Sequence, residues 1–206
     1  MKVKQQKLDL GRADVQIEKR RRDAKVRLGE VCEVVSGSTP RTAVVEYWGG
    51  EYPWITPAEL KGDVWVYDTV KHLTRAGVES ASLKIIPEGS VLLTSRAPIG
   101  KVAIAGRSMY CNQGFKNLIC GDRVFNKYLY YWLKSHADYL NSLGRGATFK
   151  EVSKSIVERV EIPLPPLAEQ KRIAAKLDLL CEIISKRKEQ VAKLKQLAKS
   201  RFVEAA

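Results

Sequence analysis

From Leu167 to Ala206 the chain contains neither glycine nor proline, and Ile173, Leu177, Leu180, Ile184, Arg187, Val191, Leu194, Ala198 and Arg201 recur there in alternating steps of four and three. A step averaging 3.5 residues is the a/d seam of a coiled coil, with charged residues on the other faces. A helix of the 37 residues from Leu167 to Val203 is roughly 55 Å long at 1.5 Å per residue. Such a helix cannot bury its seam against itself, so the pattern demands a partner helix. Arg187 and Arg201 argue against a parallel zipper, where each would face its own copy near the axis. An antiparallel pair of identical chains offsets them, so an antiparallel homodimer is expected.

Upstream, Ile162-Pro163-Leu164-Pro165-Pro166 cannot be helix interior, because three prolines remove donors and hold the chain extended. It reads as a stiff strap, with Pro166 suited to the first turn of the helix that follows. Before it, residues 26–121 show short β-type runs separated by turns. These are Val26–Val35, Trp54-Ile55-Thr56, Val64–Tyr67, Ser90–Thr94, Lys101–Ala105 and Asn117–Cys120. Their uneven spacing predicts an irregular, curved sheet. Pro57–Leu60 reads as a single helical turn, and Asn126–Leu143 as a helix with Leu129, Trp132, Leu133, His136 and Leu140 on one face, stopped by Gly144. Thr148-Phe149-Lys150-Glu151 fits a capping box opening a short helix through about Ser155. The fold class expected is α+β: residues 1–25 a basic segment that reads as a frayed helix or a disordered tail, 26–160 a domain, and 161–206 the strap and long helix.

The formal charge of +13 favours a polyanionic partner. Residues 28–159 hold sixteen basic against thirteen acidic side chains, so a nucleic-acid face on that domain has to be a local patch. Four loops supply the chemistry for one. Ser38 and Arg41 stand in the first, and Thr94, Ser95 and Arg96 in the second. Asn112, Gln113 and Lys116 form the third, and Arg145 and Thr148 belong to the fourth. Arginine can meet a guanine edge or a phosphate, paired amides match adenine, and small hydroxyl residues let the backbone approach closely.

Catalytic constellations are missing. The sequence has no Gly-x-x-x-x-Gly-Lys-Ser/Thr loop for ATP, no Asn/Asp-Pro-Pro-aromatic tetrapeptide of amino-methyltransferases, no Gly-x-Ser-x-Gly and no His-Glu-x-x-His. Glu59-Leu60-Lys61 mimics half of a nuclease site without the preceding Pro-Asp. Cys32, Cys111, Cys120 and Cys181 lie too far apart for zinc spacing, and reduced, half-buried thiols are expected. His136 reads as a structural histidine. No enzyme activity, metal or cofactor is expected. No apolar run approaches the ~20 residues of a membrane span, and Met1–Gln6 lacks the apolar stretch of a secretory signal, so a cytoplasmic chain is expected.

Several of these segments together resemble one family, the specificity (S) subunits of type I restriction-modification systems. Leu28-Gly29-Glu30-Val31 leading to Ser36-Gly37-Ser38-Thr39-Pro40, and Tyr52-Pro53-Trp54-Ile55-Thr56-Pro57-Ala58-Glu59-Leu60, are similar to the start of its target recognition domain. Leu93–Ile104, Cys111–Phe115 and Gly146-Ala147-Thr148 continue the likeness. Ile162–Ile173, containing Pro165-Pro166-Leu167-Ala168-Glu169-Gln170, resembles the entry to its spacer helix. The resemblance implies a recognition domain that reads one half of a bipartite DNA site, and a coiled-coil arm that docks methyltransferase subunits and, through them, restriction (translocase-nuclease) subunits. Methyl transfer and ATP-driven cleavage would belong to those other subunits. Family members typically carry two recognition domains and two spacer helices, so this chain is expected to be a half-length form, natural or truncated. Two other readings stay open on sequence alone: a nucleic-acid-binding module without sequence preference, and an assembly adaptor that reads no DNA.

Overall fold

A computed structural model describes residues 25–146 and 150–204, without the side chains of 198, 199 and 201–204. Residues 1–24 of the basic segment and Thr148 therefore lie outside the described residues, as do the side chains of Ala198 and Arg201.

The chain opens with strand β1 (Lys25–Arg27), a helical turn α1 (Leu28–Val31) and β2 (Cys32–Ser36). The run expected as one strand is thus broken, because Leu28 and Val31, three residues apart, both turn into the core. Strands β3 (Trp48–Ile55), β4 (Trp65–Val66) and β5 (Lys71–Leu73) follow, then helix α2 (Arg75–Ser80). Next come β6 (Val91–Leu93), β7 (Val102–Ala105), β8 (Tyr110–Cys111) and β9 (Lys116–Cys120). The α+β class holds, but the strands divide into three sheets: β2-β9-β6-β7-β4, β5-β3-β8, and a ribbon of β1 with β10 (Glu161–Pro163).

The five-stranded sheet is covered on both faces, which is why β6 and β7 are apolar at every position. On one face Val34, Val91, Leu93, Val102, Ile104 and Leu118 pack against α1 and against helices α3 (Asn126–Ser135) and α5 (Lys154–Arg159). On the other, Val35, Leu92, Ala103 and Ala105 meet Ile55, Ile86, Met109 and Phe115.

The helix expected over 126–143 is two helices, α3 and α4 (Ala137–Ser142), parted at His136, whose φ of −111° and ψ of 24° leave the helical region. His136 is structural. Its ring stacks on Trp132 at 4.1 Å, and its Nδ1 lies 2.8 Å from the Trp132 carbonyl.

The strap is part of the domain. Lys25 pairs with Pro163, Val26 with Ile162 and Arg27 with Glu161, which ties both ends of the domain together. Pro166 stands one residue before helix α6 (Leu167–Glu204), and its carbonyl accepts the first bonds, from Glu169 and Gln170. Among the described residues no helix is long and apolar enough to cross a membrane.

Candidate nucleic-acid interface

Strand direction brings three of the four candidate loops to one edge. β2 and β6 end there, while β7 and β9 begin there. Ser36 pairs with Lys116, Thr94 bridges to Phe115, and Leu93 pairs with Val102. The fourth loop joins by isolated bridges from Glu151 to Arg96 and Arg145.

Most polar groups of these loops hold the loops to one another. The Ser38 amide donates to the Cys111 carbonyl at 2.9 Å, and the Ser38 carbonyl accepts from Trp54 Nε1 at 3.0 Å. Gly37 is required at this crossing, since a Cβ there would stand 2.0 Å from the Asn112 carbonyl oxygen. Asn112 is committed at both ends: its Oδ1 accepts from the Gly114 amide at 2.7 Å, and its Nδ2 donates to Thr39 Oγ1 at 3.1 Å. The Thr39 hydroxyl donates in turn to Gln113 Oε1. Thr94, fully buried, donates through its hydroxyl to the Pro98 carbonyl at 2.7 Å and accepts from the Lys101 amide at 3.0 Å.

At the centre stands Glu151. Its carboxylate accepts from Lys116 Nζ at 3.0 Å and Arg96 Nε at 2.9 Å. Lys116 is inward-facing, with 8% of its side chain accessible, and it also approaches Ser95 Oγ at 3.4 Å. The Glu151 backbone exchanges two bonds of 2.9 Å with Arg145. Burial opposes ionisation of Glu151, but the bonds from Lys116 and Arg96 outweigh it and hold the carboxyl below the usual carboxylate range. The capping-box reading of this residue is therefore corrected. The helix that follows is α5, capped by Ser153, whose Oγ accepts from the Ile156 amide. Glu151 is spent on the two cations instead.

Glu151→Gln should cost about 1–3 kcal/mol of stability at neutral pH, because removing the charge strands Lys116. Since the folded-state pKa is depressed, the stabilisation is complete above the ordinary carboxylate pKa of about 4.3 and disappears as pH falls through the lower, folded value. Urea unfolding of both proteins should therefore show a gap at neutral pH that narrows in acid. A gap independent of pH would contradict the assignment.

The structure thus sorts the expected contact residues. Arg41, Gln113, Arg96 and Arg145 are exposed at the edge, where a ligand can meet them. Thr94, Ser95 and Lys116 are buried, and Asn112 is half-buried with its amide engaged, so these four position the loops. Glu151 carried no sequence signal for this role, since its partners lie 35 and 55 residues away.

Helix α6 leaves the domain from a built anchor. Gln170 is wholly buried. Its Oε1 accepts from the Phe125 amide at 2.8 Å, while its Nε2 donates to the carbonyls of Arg123 at 3.0 Å and Pro165 at 2.8 Å. Ala174 is buried, and Ile173 and Leu177 line an apolar cleft with Tyr128, Tyr131 and Trp132 of α3. Asp178 closes the anchor, accepting from Lys127 Nζ at 2.6 Å and from the Tyr131 hydroxyl at 2.7 Å. Burial, with Asp178 beside it, pushes the Tyr131 phenol up, so it remains a donor. Beyond this point the seam stands open: Leu180 is 52% exposed, Ile184 52%, Val191 50% and Leu194 64%. Leu179, Ile183 and Leu197 widen the open stripe.

The four cysteines are free, and Cys181 is exposed on α6. Among the described residues no group of three His, Cys, Asp or Glu side chains could hold a metal ion.

Loops gathered on one sheet edge, with a long open helix anchored to the same domain, define a loop-bearing domain carried on an arm. A family model described as the type I restriction modification DNA specificity domain matches residues 23–196, and the chain belongs to that family. It is 42% identical over 180 residues to the MjaIX type I restriction enzyme specificity subunit of Methanocaldococcus jannaschii, a match that covers 85% of this chain and 42% of that one. To the EcoKI specificity subunit of Escherichia coli it is 31% identical over 134 residues, 60% of this chain and 28% of that one. Among solved structures, a chain from work on assembly and conformational transition of the type I R-M system matches with a TM-score of 0.70 at 30% identity, covering 84% of this chain and 43% of that one. The HsdS subunit from Thermoanaerobacter tengcongensis matches with a TM-score of 0.64 at 28% identity, covering 79% and 38%. The chain spans less than half the length of each of these relatives.

Proposed function

We propose that this chain reads one half of a bipartite DNA site with its four-loop edge and pairs through α6 with a second copy, without catalysing a reaction itself. The carrying observation is the open seam from Leu180 to Leu194 on a helix anchored to the domain that bears the loop edge. In an antiparallel register that sets Ile184 opposite Leu194 of the second copy, Arg187 falls opposite Val191, away from its own copy. The neighbouring stripe of Leu179, Ile183 and Leu197 is left for methyltransferase subunits, through which restriction subunits would join.

Anchoring shortens the arm's reach. Residues 167–178 are docked, and in this register Leu179 stands opposite position 199 of the second copy, so the two anchors are about 20 residues apart along the pair, about 30 Å, or about 9 base pairs at 3.4 Å each. Two identical chains about a two-fold axis read inverted identical halves, so the site is an interrupted palindrome with half-site centres about one DNA turn apart.

Arg41 and Arg96 are the base-reading candidates. Arg41→Ala should cost about 1–3 kcal/mol on the cognate duplex and relax one position of the site, leaving the rest intact. Arg96→Ala should do the same, with a smaller stability loss through Glu151. Competition binding by the assembled methyltransferase against single-base variants of its duplex reads both effects. If the triple change of Arg41, Arg96 and Gln113 to Ala leaves binding and base preference unchanged, the reading edge is elsewhere.

A further inference from the structure

Beside the four-loop edge lies a cavity of about 500 Å³ between the single helical turn Pro57–Glu59, the β6–β7 hairpin and the α3–α4 junction. Its wall carries Lys61, Lys101 and Lys134, and among the described residues no acidic side chain lines it. Gly100, at a φ of +92°, brings the hairpin against Ala137, where a Cβ would stand 3.0 Å from the Ala137 Cα.

These lysines differ from the ion-paired lysines of the domain, as Lys71 over the Trp48 ring also does. Lys84, Lys116, Lys127 and Lys154 each face a carboxylate, whereas Lys61, Lys101 and Lys134 form no ion pair among the described residues. Lys101 Nζ donates to the Leu60 carbonyl at 3.2 Å, and Lys134 Nζ donates to the Tyr130 hydroxyl at 2.9 Å while lying 5.2 Å above that ring. One neutral bond fixes each of these two ammoniums and leaves two of its three protons to give. Three cations around one concavity repel one another unless an anion sits between them.

The cavity's place says which anion. Gly100 and Lys101 end the hairpin that carries Arg96. The turn at Pro57 touches the third loop, its Cγ lying 3.0 Å from where a Cβ on Gly114 would stand. A duplex read at this edge presents backbone phosphates to its flank, and bonds to phosphate fix register without carrying sequence.

We propose that the Lys61–Lys101–Lys134 cavity seats a backbone phosphate of the bound duplex, as a sequence-independent anchor. The proposal rests on the DNA-reading function above, and the test separates the two. The full chain is acetylated under limiting reagent, alone and with a mixed-sequence duplex whose binding is followed in parallel by anisotropy. Labelling at Lys61 and Lys134 is expected to slow several-fold with duplex, while Lys84, paired with Glu33 toward the other end of β2, is unchanged. Inorganic phosphate at the same phosphate concentration is expected to protect neither; equal protection by it would overturn the DNA assignment in favour of a free-anion site. In the Lys61→Ala/Lys134→Ala variant, the slope of log affinity against log salt should become shallower by about 0.9 for each phosphate no longer neutralised, on every sequence alike. If the duplex binds while labelling and slope stay as they were, the cavity inference fails and DNA reading stands. If no duplex binds, the DNA-reading function fails first.

Discussion

Replacing both Ile184 and Leu194 with Glu is expected to leave the chain folded and monomeric. Both side chains project from the free part of α6, are more than half exposed in the single chain, and touch no part of the domain core. In a homodimer four buried apolar side chains disappear, at about 1.5 kcal/mol each, or about 6 kcal/mol and a weakening of about 10⁴-fold. The antiparallel register gives a sharper result. With Ile184→Glu and Leu194→Lys in the same chain, each Glu faces a Lys of the second copy, and the dimer should survive. A parallel pair would set Glu against Glu and Lys against Lys, and that chain would be monomeric too. Sedimentation of the wild type and the two variants distinguishes these outcomes. A monomeric wild type removes the homodimer.

Gln170→Leu is expected to lower the melting temperature by about 6–12 °C and to loosen α6 from the domain. The side chain is nearly isosteric, so packing is kept while three bonds vanish: from the Phe125 amide and to the carbonyls of Arg123 and Pro165. Leaving such groups unsatisfied costs about 1 kcal/mol or more apiece, about 3 kcal/mol in all, and a chain of this size loses about 2–4 °C per kcal/mol. Gln170→Glu should be no better, since it keeps one acceptor, loses both donors and buries a charge. Lys176→Ala, on the exposed face of the same helix, should change stability by less than about 0.5 kcal/mol. A Gln170→Leu protein that melts with the wild type would show that the anchor lies elsewhere, in the Asp178 bonds with Lys127 and Tyr131.

The arm was the most legible part of the sequence, because a 3.5-residue period over Leu167–Glu204 survives without any knowledge of what it packs on. β6 and β7 were legible for a related reason: burial on both faces leaves continuous apolar runs. The breaks were not. The turn at Leu28–Val31 and the parting of α3 from α4 at His136 are set by what Leu28, Val31 and Trp132 touch across the fold. At the loop edge, composition marked segments that the fold brings together, but not which of their side chains look outward. Thr94, Ser95 and Lys116 have the chemistry of DNA contacts, yet they face inward and set the loops' shape. Glu151 sits in a genuine capping-box pattern and spends its carboxylate on Lys116 and Arg96. The lysine cavity left no trace in the sequence, since Lys61, Lys101 and Lys134 meet only through the packing of the hairpin on α3 and α4.

The most direct test is to map methylated bases in a host that carries the cognate methyltransferase subunits, with and without this chain. The account predicts a new motif that appears only with the chain: an interrupted palindrome with identical inverted halves whose centres lie about one DNA turn apart. A motif with unlike halves, or methylation that is the same with and without the chain, would contradict it.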